Sequence, residues 1–298
     1  MTAVGGEVKD PRDVIAAARV GQRTSGSQPT GLGRWHPPRG PHRFRGRRFV
    51  ELFAGSSRMA QAFSALGVGS SSFEVTRDKN EDVLLPANTT RLLDDMKRGR
   101  LLAGWAGIPC ASWSLARRGP ADYSGYPPPL RDSTPAGIWG LQGLSEKDQE
   151  RVRLGNLLAL WLCRVIRVAI RCKVPFLVEN PASSRLWIFP PLAALMQKCS
   201  MNFVFHACQY GGPALKPTRV VGWNINLFGL DRKCQRQGKV CSATGEPHVV
   251  LQGLDKRGVW LSASASAYPR RFCTAMAKEV LNQILTSESP PTCHPVHL

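Results

Sequence analysis

A chain of 298 residues is long enough for one large α/β domain with additions, or for two smaller domains. Its 40 Lys and Arg against 21 Asp and Glu give a formal net charge of +19, which favours a polyanionic partner such as nucleic acid. Apolar runs long enough to span a membrane and a signal-peptide pattern are both missing, which excludes membrane and secreted classes. We therefore expect a soluble intracellular protein without membrane contact, nuclear if the source is eukaryotic.

Nine cysteines lie along the chain without a regular spacing. This pattern favours free thiols or metal ligands over a disulfide framework.

Residues 1–47 are rich in Gly, Pro, Arg and Ser and are predicted to form a disordered basic extension. Between Arg34 and Arg48 there are six arginines and no acidic residue. Such an arm can bind phosphates or serve as a nuclear address, or it can be a solvated leader. Both interpretations stay open at this point.

Order is predicted to begin at Arg48, with a strand over 49–53, a tight turn at 54–57 and a helix over 58–66. A strand, a glycine turn and a helix are typical of the start of a nucleotide-type cofactor site. Gly55 allows close backbone approach, and the start of the helix offers unpaired N–H groups to a polar ligand.

Two acidic residues follow this turn. Glu74 ends a predicted strand over 70–75, where a carboxylate can accept hydrogen bonds from a ribose diol. Asp82 opens a short predicted strand over 82–84 and can accept from an adenine amino group. Each acid alone is more simply a solvated loop residue, but the ordered series favours a cofactor site.

A helix over 87–100 and a strand over 101–108 lead to Cys110, and Pro109 stops the strand one residue before the sulfur. Ligands in open α/β sheets bind beyond the carboxyl ends of strands. Cys110 is therefore a candidate nucleophile, with a small buried structural cysteine as the alternative.

A long polar loop over 111–147 comes next and carries Arg117, Arg118 and Arg131, side chains suited to phosphate contacts. A loop of this length is usually a functional lid or a disordered insertion. It is followed by an apolar-periodic helix over 148–172.

A buried strand over 174–178 ends in Glu179-Asn180-Pro181. Desolvation at this place would raise the pKa of Glu179 and let the carboxyl hold a proton near neutrality. Cys110 and Glu179 at neighbouring strand ends would form a nucleophile and acid pair.

A helix over 183–199 and a strand over 202–207 are predicted next. Lys216 and Arg219 then precede a strand over 220–225, where they could meet a phosphate or the substrate. A final helix over 268–285 is expected to close the sheet, and 287–298 to be a disordered tail.

Segment 227–262 contains Cys234, Cys241 and His248. Three such ligands indicate zinc, with Cys208 as a possible fourth, although no CxxC pair is present. The alternative is a small module without a metal.

The order of these motifs resembles that of the S-adenosylmethionine-dependent DNA (cytosine-5)-methyltransferase family over about residues 48 to 286. The motifs are Phe53-Ala54-Gly55, Glu74, Asp82, Pro109-Cys110, Glu179-Asn180-Pro181 and Tyr210-Gly211-Gly212-Pro213. More loosely, the Pro-Cys-x-Ser-Trp-Ser form looks like the compact methylase domains of some retroelements and phages.

The resemblance implies a Rossmann-like class I methyltransferase fold, with a mostly parallel doubly wound sheet built from 48–226 and 263–286. Segment 227–262 would be a small irregular insert, either a reduced target-recognition region or the zinc module. The implied cofactor is S-adenosyl-L-methionine and the implied partner is DNA, and we expect a monomer.

The resemblance also implies a role for each residue. Cys110 would add to C6 of a cytosine flipped out of the duplex, and protonated Glu179 would support the charge developing at N3. Asn180 would fix the geometry of the Pro181 turn. The cofactor would contact Phe53, Ala54, Gly55, Ser56 and Pro109, together with Glu74 and Asp82. Ser112, Arg117 and Arg118 would belong to a mobile catalytic loop that binds the substrate.

Two departures from the family pattern are present. In place of Gln-x-Arg-x-Arg the chain has Ala214, Lys216 and a displaced Arg219, and Lys cannot make a bidentate fork. Ser264 and Ser266 stand where a Gly-Asn pattern is usual, so Ser266 is a less certain cofactor contact. Two alternatives therefore remain: an inactive nucleic-acid-binding relic, and methylation of cytosine C5 in RNA.

Overall fold

The computed structural model describes residues 34–36, 44, 46–117, 119, 127–236, 240–251, 253, 261 and 266–287. The strands are β1 (Arg34–His36), β2 (Arg48–Leu52), β3 (Gly69–Phe73), β4 (Leu101–Gly107), β5 (Phe176–Pro181), β6 (Met201–His206) and β7 (Pro217–Trp223). The helices are α1 (Arg58–Ala65), α2 (Pro86–Lys97), α3 (Glu146–Arg171), α4 (Pro190–Met196) and α5 (Arg270–Thr286).

All seven strands belong to one sheet in the order β1-β3-β2-β4-β5-β7-β6. Strands β3, β2, β4 and β5 pair in parallel. Strand β7 runs antiparallel to both of its neighbours, so β6 points in the same direction as β5. Strand β1 is antiparallel to β3. The predicted α/β class, with a mostly parallel sheet, is confirmed.

Helices cover both faces of this sheet, as the doubly wound prediction requires. On one face α2, α3 and α4 pack against alternate strand residues such as Val50 and Val178. On the other face α1 and α5 pack against the intervening residues, including Phe49 and Leu177. Because side chains alternate along a buried strand, each central strand contributes to both apolar layers.

The connections place a topological switch point between β2 and β4. From β2 the chain passes through α1 to β3 on one side, and α2 then carries it back to β4 on the other side. Ligands of open α/β sheets bind in the crevice outside the carboxyl ends of the strands at such a point. The residues that follow β2 and β4 therefore face the expected site.

A buried carboxyl group fixes the start of α1. Glu51 lies in β2 with no exposed surface, and its Oε2 accepts a hydrogen bond from the backbone N–H of Ala60 at 2.7 Å. Ser57, the residue before the helix, makes no side-chain cap. Burial raises the pKa of Glu51 to about 8. Glu51 thus satisfies an N–H of the first helical turn from inside the sheet.

Three local predictions differ from the structure. Residues 82–84 form a turn after a short 3₁₀ helix, because Asp82 Oδ1 accepts the N–H of Leu84 at 2.9 Å and the chain turns instead of extending. The helix predicted over 183–199 is divided into a 3₁₀ turn, Arg185–Ile188, and α4. Proline at the start of α4 cannot donate to the preceding turn and begins a new helix instead.

The third difference is strand β1, which lies within the extension predicted as disordered. Most of residues 1–47, and the tail after Ser287, lie outside the described residues. In the described part of 227–262, one isolated β-bridge joins Val240 and Pro247. No described helix has both the length and the apolar composition needed to cross a membrane.

Candidate active site

One cavity of about 830 Å³ lies at the carboxyl ends of β2, β4 and β5. It brings together most of the residues that the sequence predicted for cofactor binding and catalysis. Those on its wall are Phe53, Ala54, Gly55, Ser56, Pro109, Cys110, Arg117, Glu179, Asn180, Lys216 and Ser266. The size is that of a small-molecule binding cavity.

The pairing of β4 with β5 brings Cys110 and Glu179 to the same edge of the sheet. Gly107 lies opposite Glu179 in the parallel register. Beyond the last paired residue, the Asn180 side chain donates to the backbone carbonyl of Ile108 at 2.7 Å. This bond holds the segment leading to Cys110 against β5. Asn180, a predicted site residue, therefore positions the chain that carries the thiol.

Cys110 is a half-buried free thiol in this cavity. Burial raises its pKa, the charge of Glu179 raises it further, and Lys216 acts in the opposite direction. The thiol is therefore the favoured form, and formation of a thiolate needs additional positive charge or loss of the Glu179 charge.

Glu179 is only 6% exposed. As the sequence predicted, burial raises its pKa, and this effect outweighs the opposing effects of Lys216 and Tyr268. Glu179 therefore has the environment of a carboxyl group that carries a proton near neutrality.

Tyr268 is a site residue that the sequence analysis did not identify. Its hydroxyl donates to Glu179 Oε2 at 2.6 Å, and its ring packs edge-on against Trp105. A Cβ atom at Gly107 would overlap the Tyr268 hydroxyl, so the glycine at the end of β4 makes room for this contact. The only sequence signal was the Tyr268-Pro269 pair before the last helix.

The turn after β2 is joined to Glu74. The N–H of Gly55, a residue with φ of 50°, donates to Glu74 Oε2 at 2.7 Å. Burial acts to raise the pKa of Glu74, but hydrogen bonds from Thr76 and Gly55 outweigh it and the pKa is lowered. The ionised carboxylate lies beside the turn, outside the cavity wall. Asp82 also lies off this wall, with one oxygen bound to the backbone of Leu84.

The prediction that Arg131 contacts a phosphate of the substrate is wrong, because its side chain is fully buried. Its guanidinium donates to the carbonyl oxygens of Ser112, Ile138 and Val152, among other acceptors. It also stacks over Trp113, 3.5 Å from the ring centroid. Burial lowers the pKa of Arg131 to about 9.

The prediction that Ser112 binds the substrate is also wrong, because its side chain is buried. It is 5% exposed, and its hydroxyl accepts from Arg131 instead of facing the cavity. Arg117 does reach the cavity, while its side chain donates to the carbonyl of Pro128 and to Asp148. Arg118 lies outside the described residues.

Arg219 lies away from the thiol. Its side chain donates to Asn202 at 2.8 Å and sits over the ring of Trp187, in a surface hollow separate from the cavity of Cys110. Strand β7 alternates its side chains between the two faces of the sheet, and Arg219 lies on the face of Trp187, where it does not meet a substrate in the Cys110 cavity. Lys216 alone of this pair reaches the site.

A basic groove of about 680 Å³ adjoins the cavity and shares Lys216 and Tyr268 with it. Its wall also carries Arg58, Arg270 and Arg271, and none of the described lining residues is acidic. Arg58 and the two arginines at the start of α5 were not predicted as site residues, because only the fold brings these distant segments together.

The predicted metal ligands are also brought together. Cys234, Cys241 and His248 lie with Cys208 so that their ligand atoms are all within 4.8 Å of one another. This cluster is separate from the wall of the Cys110 cavity.

Comparisons with known proteins add little to this geometry. No protein-family model matches the sequence, and no curated protein sequence matches it. Among solved structures, the Entamoeba histolytica methyltransferase EhMeth is similar with a TM-score of 0.34 and 8% sequence identity. The match covers 69% of this chain and 58% of that chain, less than two thirds of its length. Similarity at this level carries no functional argument.

We predict that Arg131→Met lowers the free energy of unfolding by about 3 kcal/mol, because buried carbonyl oxygens lose their donors. Urea unfolding followed by circular dichroism measures the change. Arg153→Met is the matched control: Arg153 is exposed on α3 and pairs with Glu150, so we expect a change under about 1 kcal/mol. Equal effects of the two variants would contradict the structural role of Arg131.

Proposed function

We propose that this chain transfers a methyl group from S-adenosyl-L-methionine to C5 of cytosine in DNA. The observation that carries the proposal is the shared cavity, in which the glycine turn after β2 faces the same space as Cys110 and Glu179. A cofactor turn, a nucleophile and a proton-holding carboxyl group in one cavity satisfy the chemical demands of this reaction.

The residues at the glycine turn fit the cofactor. A Cβ atom at Gly55 would have no neighbour within 4 Å, so the space over the turn is open. Glu74 is held as a carboxylate beside it. Its Oε1 accepts from the N–H and the hydroxyl of Thr76, and its Oε2 accepts from Gly55, which leaves one lone pair on Oε2 for a ribose hydroxyl. Phe53, Ala54, Ser56, Pro109 and Ser266 would complete the contacts. The bound cofactor supplies an electrophilic methyl group on a positively charged sulfur.

The protein's own groups carry the remaining chemistry. Cys110 releases its proton to solvent, and its sulfur forms a bond to C6 of the cytosine ring as the C5–C6 double bond opens, which places electron density on C5. Glu179, protonated, donates toward N3 as negative charge develops there. After C5 has gained the methyl group, its proton passes to solvent. The electrons of the C5–H bond re-form the C5–C6 double bond, and the electrons of the S–C6 bond leave with the Cys110 thiolate. The cytosine must be extruded from the duplex, since its ring faces are covered in the stack.

The charges around the pair support this sequence of steps. Lys216 lowers the pKa of Cys110 and therefore favours the thiolate. Protonation of Glu179 removes the negative charge that otherwise raises the pKa of the thiol. Tyr268 donates to Oε2 of Glu179, which leaves Oε1 as the oxygen to hold the proton.

The basic groove supports a nucleic acid as substrate. Arg58, Lys216, Arg270 and Arg271 face one continuous depression beside the site. Positive side chains on a groove next to this cavity can neutralise the phosphates that flank an extruded nucleotide. The separate position of Arg219 is the observation that favours the alternative of an inactive binding relic, while RNA instead of DNA is the alternative substrate.

We predict that the protein transfers a labelled methyl group from S-adenosyl-L-methionine to cytosine C5 of DNA, and that Cys110→Ser abolishes the transfer because a hydroxyl is a far weaker nucleophile. Duplex DNA, single-stranded DNA and RNA are tested separately, with the product base identified by mass spectrometry. Cys199→Ser is the control, since Cys199 is a half-buried free thiol away from the cavity.

Cofactor binding is measured on the same samples. Binding without 5-methylcytosine in any substrate identifies the relic, and product in RNA alone identifies the RNA enzyme. Transfer by Cys110→Ser at the wild-type rate would contradict the proposed nucleophile.

We predict that Tyr268→Phe shifts the alkaline limb of the pH dependence of kcat/KM to higher pH. The hydrogen bond from Tyr268 lowers the pKa of Glu179, so its removal raises that pKa. Because Glu179 acts in its protonated form, activity is present below this pKa and lost as pH rises through it. Tyr210→Phe is the control, since it removes another buried hydroxyl, which donates to the Leu230 carbonyl. An unshifted alkaline limb would contradict the proposal that Tyr268 sets the pKa of the catalytic Glu179 carboxyl group.

We predict that Arg271→Ala weakens DNA binding and reduces the slope of log affinity against log salt by roughly 0.9, the change for one lost phosphate contact. Fluorescence anisotropy over a salt series measures the slope. Arg153→Ala removes an equally exposed arginine on α3, outside the groove, and should leave the slope unchanged. If both variants give the wild-type slope, the groove does not bind phosphates.

A further inference from the structure

A second cluster of reactive side chains lies outside the proposed active site. Cys208 is in the 3₁₀ turn Ala207–Tyr210 that directly follows β6. Cys234, Cys241 and His248 come from the irregular segment beyond β7. All four ligand atoms lie within 4.8 Å of one another, so residues distant in the sequence converge on one point.

Two distances from Cys234 to other members of the cluster match those around a tetrahedral metal ion, and the remaining ligand atoms lie within 4.8 Å of one another. Cys234 Sγ is 3.9 Å from Cys241 Sγ and 3.6 Å from His248 Nε2. Zn–S bonds of about 2.3 Å and Zn–N bonds of about 2.05 Å at tetrahedral angles separate two sulfurs by about 3.8 Å and a sulfur from a nitrogen by about 3.6 Å. The two sulfurs are much farther apart than the roughly 2.05 Å of a disulfide.

Backbone and side-chain N–H groups point at the sulfurs. The N–H of Ser242 donates to Cys234 Sγ at 3.3 Å, and that of Ala243 to Cys241 Sγ at 3.4 Å. The side-chain amide of Gln209 lies 3.7 Å from Cys208 Sγ. Donors around the sulfur atoms stabilise thiolates, the form in which cysteine binds a metal.

We propose that Cys208, Cys234, Cys241 and His248 bind one zinc ion in a closed structural site. The three cysteines are buried, and four protein ligands complete a tetrahedron without a position for water or substrate. On binding, the three thiols release their protons to solvent and form Zn–S bonds, while neutral His248 supplies Nε2. No redox change is involved.

The zinc ion would link segment 240–251, which lines the proposed active site, to the end of β6. Segment 240–251 carries Leu251 on the wall of the Cys110 cavity and Thr244 on the wall of the basic groove. The N–H of Val249 already donates to the carbonyl of Pro213 at 2.9 Å. A bond from this segment to Cys208 through zinc adds a covalent tie to the end of β6. Metal binding itself is independent of the proposed methyl transfer.

The test uses the full chain purified from zinc-supplemented cultures without chelators. Inductively coupled plasma mass spectrometry should find one zinc ion per chain in the wild type and in Cys199→Ser. The double variant Cys234→Ser, Cys241→Ser should contain none. His248→Asn should lose zinc to a competing chelator at a concentration at least tenfold lower than the wild type requires.

Cobalt(II) provides a readout that does not depend on how well a variant folds. Wild-type protein stripped of metal and titrated with cobalt should develop the intense visible absorption of tetrahedral thiolate coordination, and zinc should displace it. Wild-type protein that is folded by circular dichroism yet holds neither metal stoichiometrically would overturn the proposal. Zinc retained at one ion per chain in the double-cysteine variant would overturn it as well.

Discussion

The parallel pairing of β4 with β5 is the constraint on which the rest of the site depends. It places Gly107 opposite Glu179, and the bond from Asn180 to the Ile108 carbonyl extends the contact beyond the last pair. Without this register the chain after Pro109 would have no fixed distance from β5. The thiol and the carboxyl group can act on one substrate only because two central strands of a buried sheet hold them.

Burial at this edge raises the pKa of both groups, but the effect on the proposed reaction differs between them. It favours the neutral forms of both Glu179 and Cys110, which suits an acid but opposes a nucleophile. The charge of Glu179 would raise the pKa of the thiol further, so a protonated Glu179 and a reactive Cys110 support one another. Lys216 favours the anionic form of either group. In the proposed reaction, the positively charged cofactor would supply additional stabilisation of the thiolate.

Much of this arrangement followed from the sequence because buried parallel strands are short apolar runs, although the strand predicted over 174–178 extends from Phe176 to Pro181 in the structure. An apolar run stopped by Pro109, and another that ends in Glu179-Asn180-Pro181, were enough to predict two neighbouring strand ends. Both strand ends line the same cavity as the glycine turn after β2, because the carboxyl ends of parallel strands lie at one edge of the sheet.

The failures have physical causes as well. A basic residue in a polar loop is normally solvated, and nothing near Arg131 in the sequence reveals the carbonyl oxygens and Trp113 ring that enclose it. The face on which Arg219 lies depends on the register of β7, which a single sequence does not specify. Tyr268 reaches Glu179 from the segment just before α5, a contact that only the tertiary fold creates.

The central claim is that Cys110 attacks C6 of a cytosine in DNA, and trapping of that bond tests it most directly. A duplex containing 5-fluorocytosine lets the sulfur add and the methyl group transfer, but fluorine cannot leave C5 as a proton does, so the enzyme stays attached. With S-adenosyl-L-methionine present, the account predicts a denaturation-resistant complex of one protein and one duplex, with the modified peptide containing Cys110. Absence of this complex in protein that binds both cofactor and DNA, or attachment through another residue, would contradict the account.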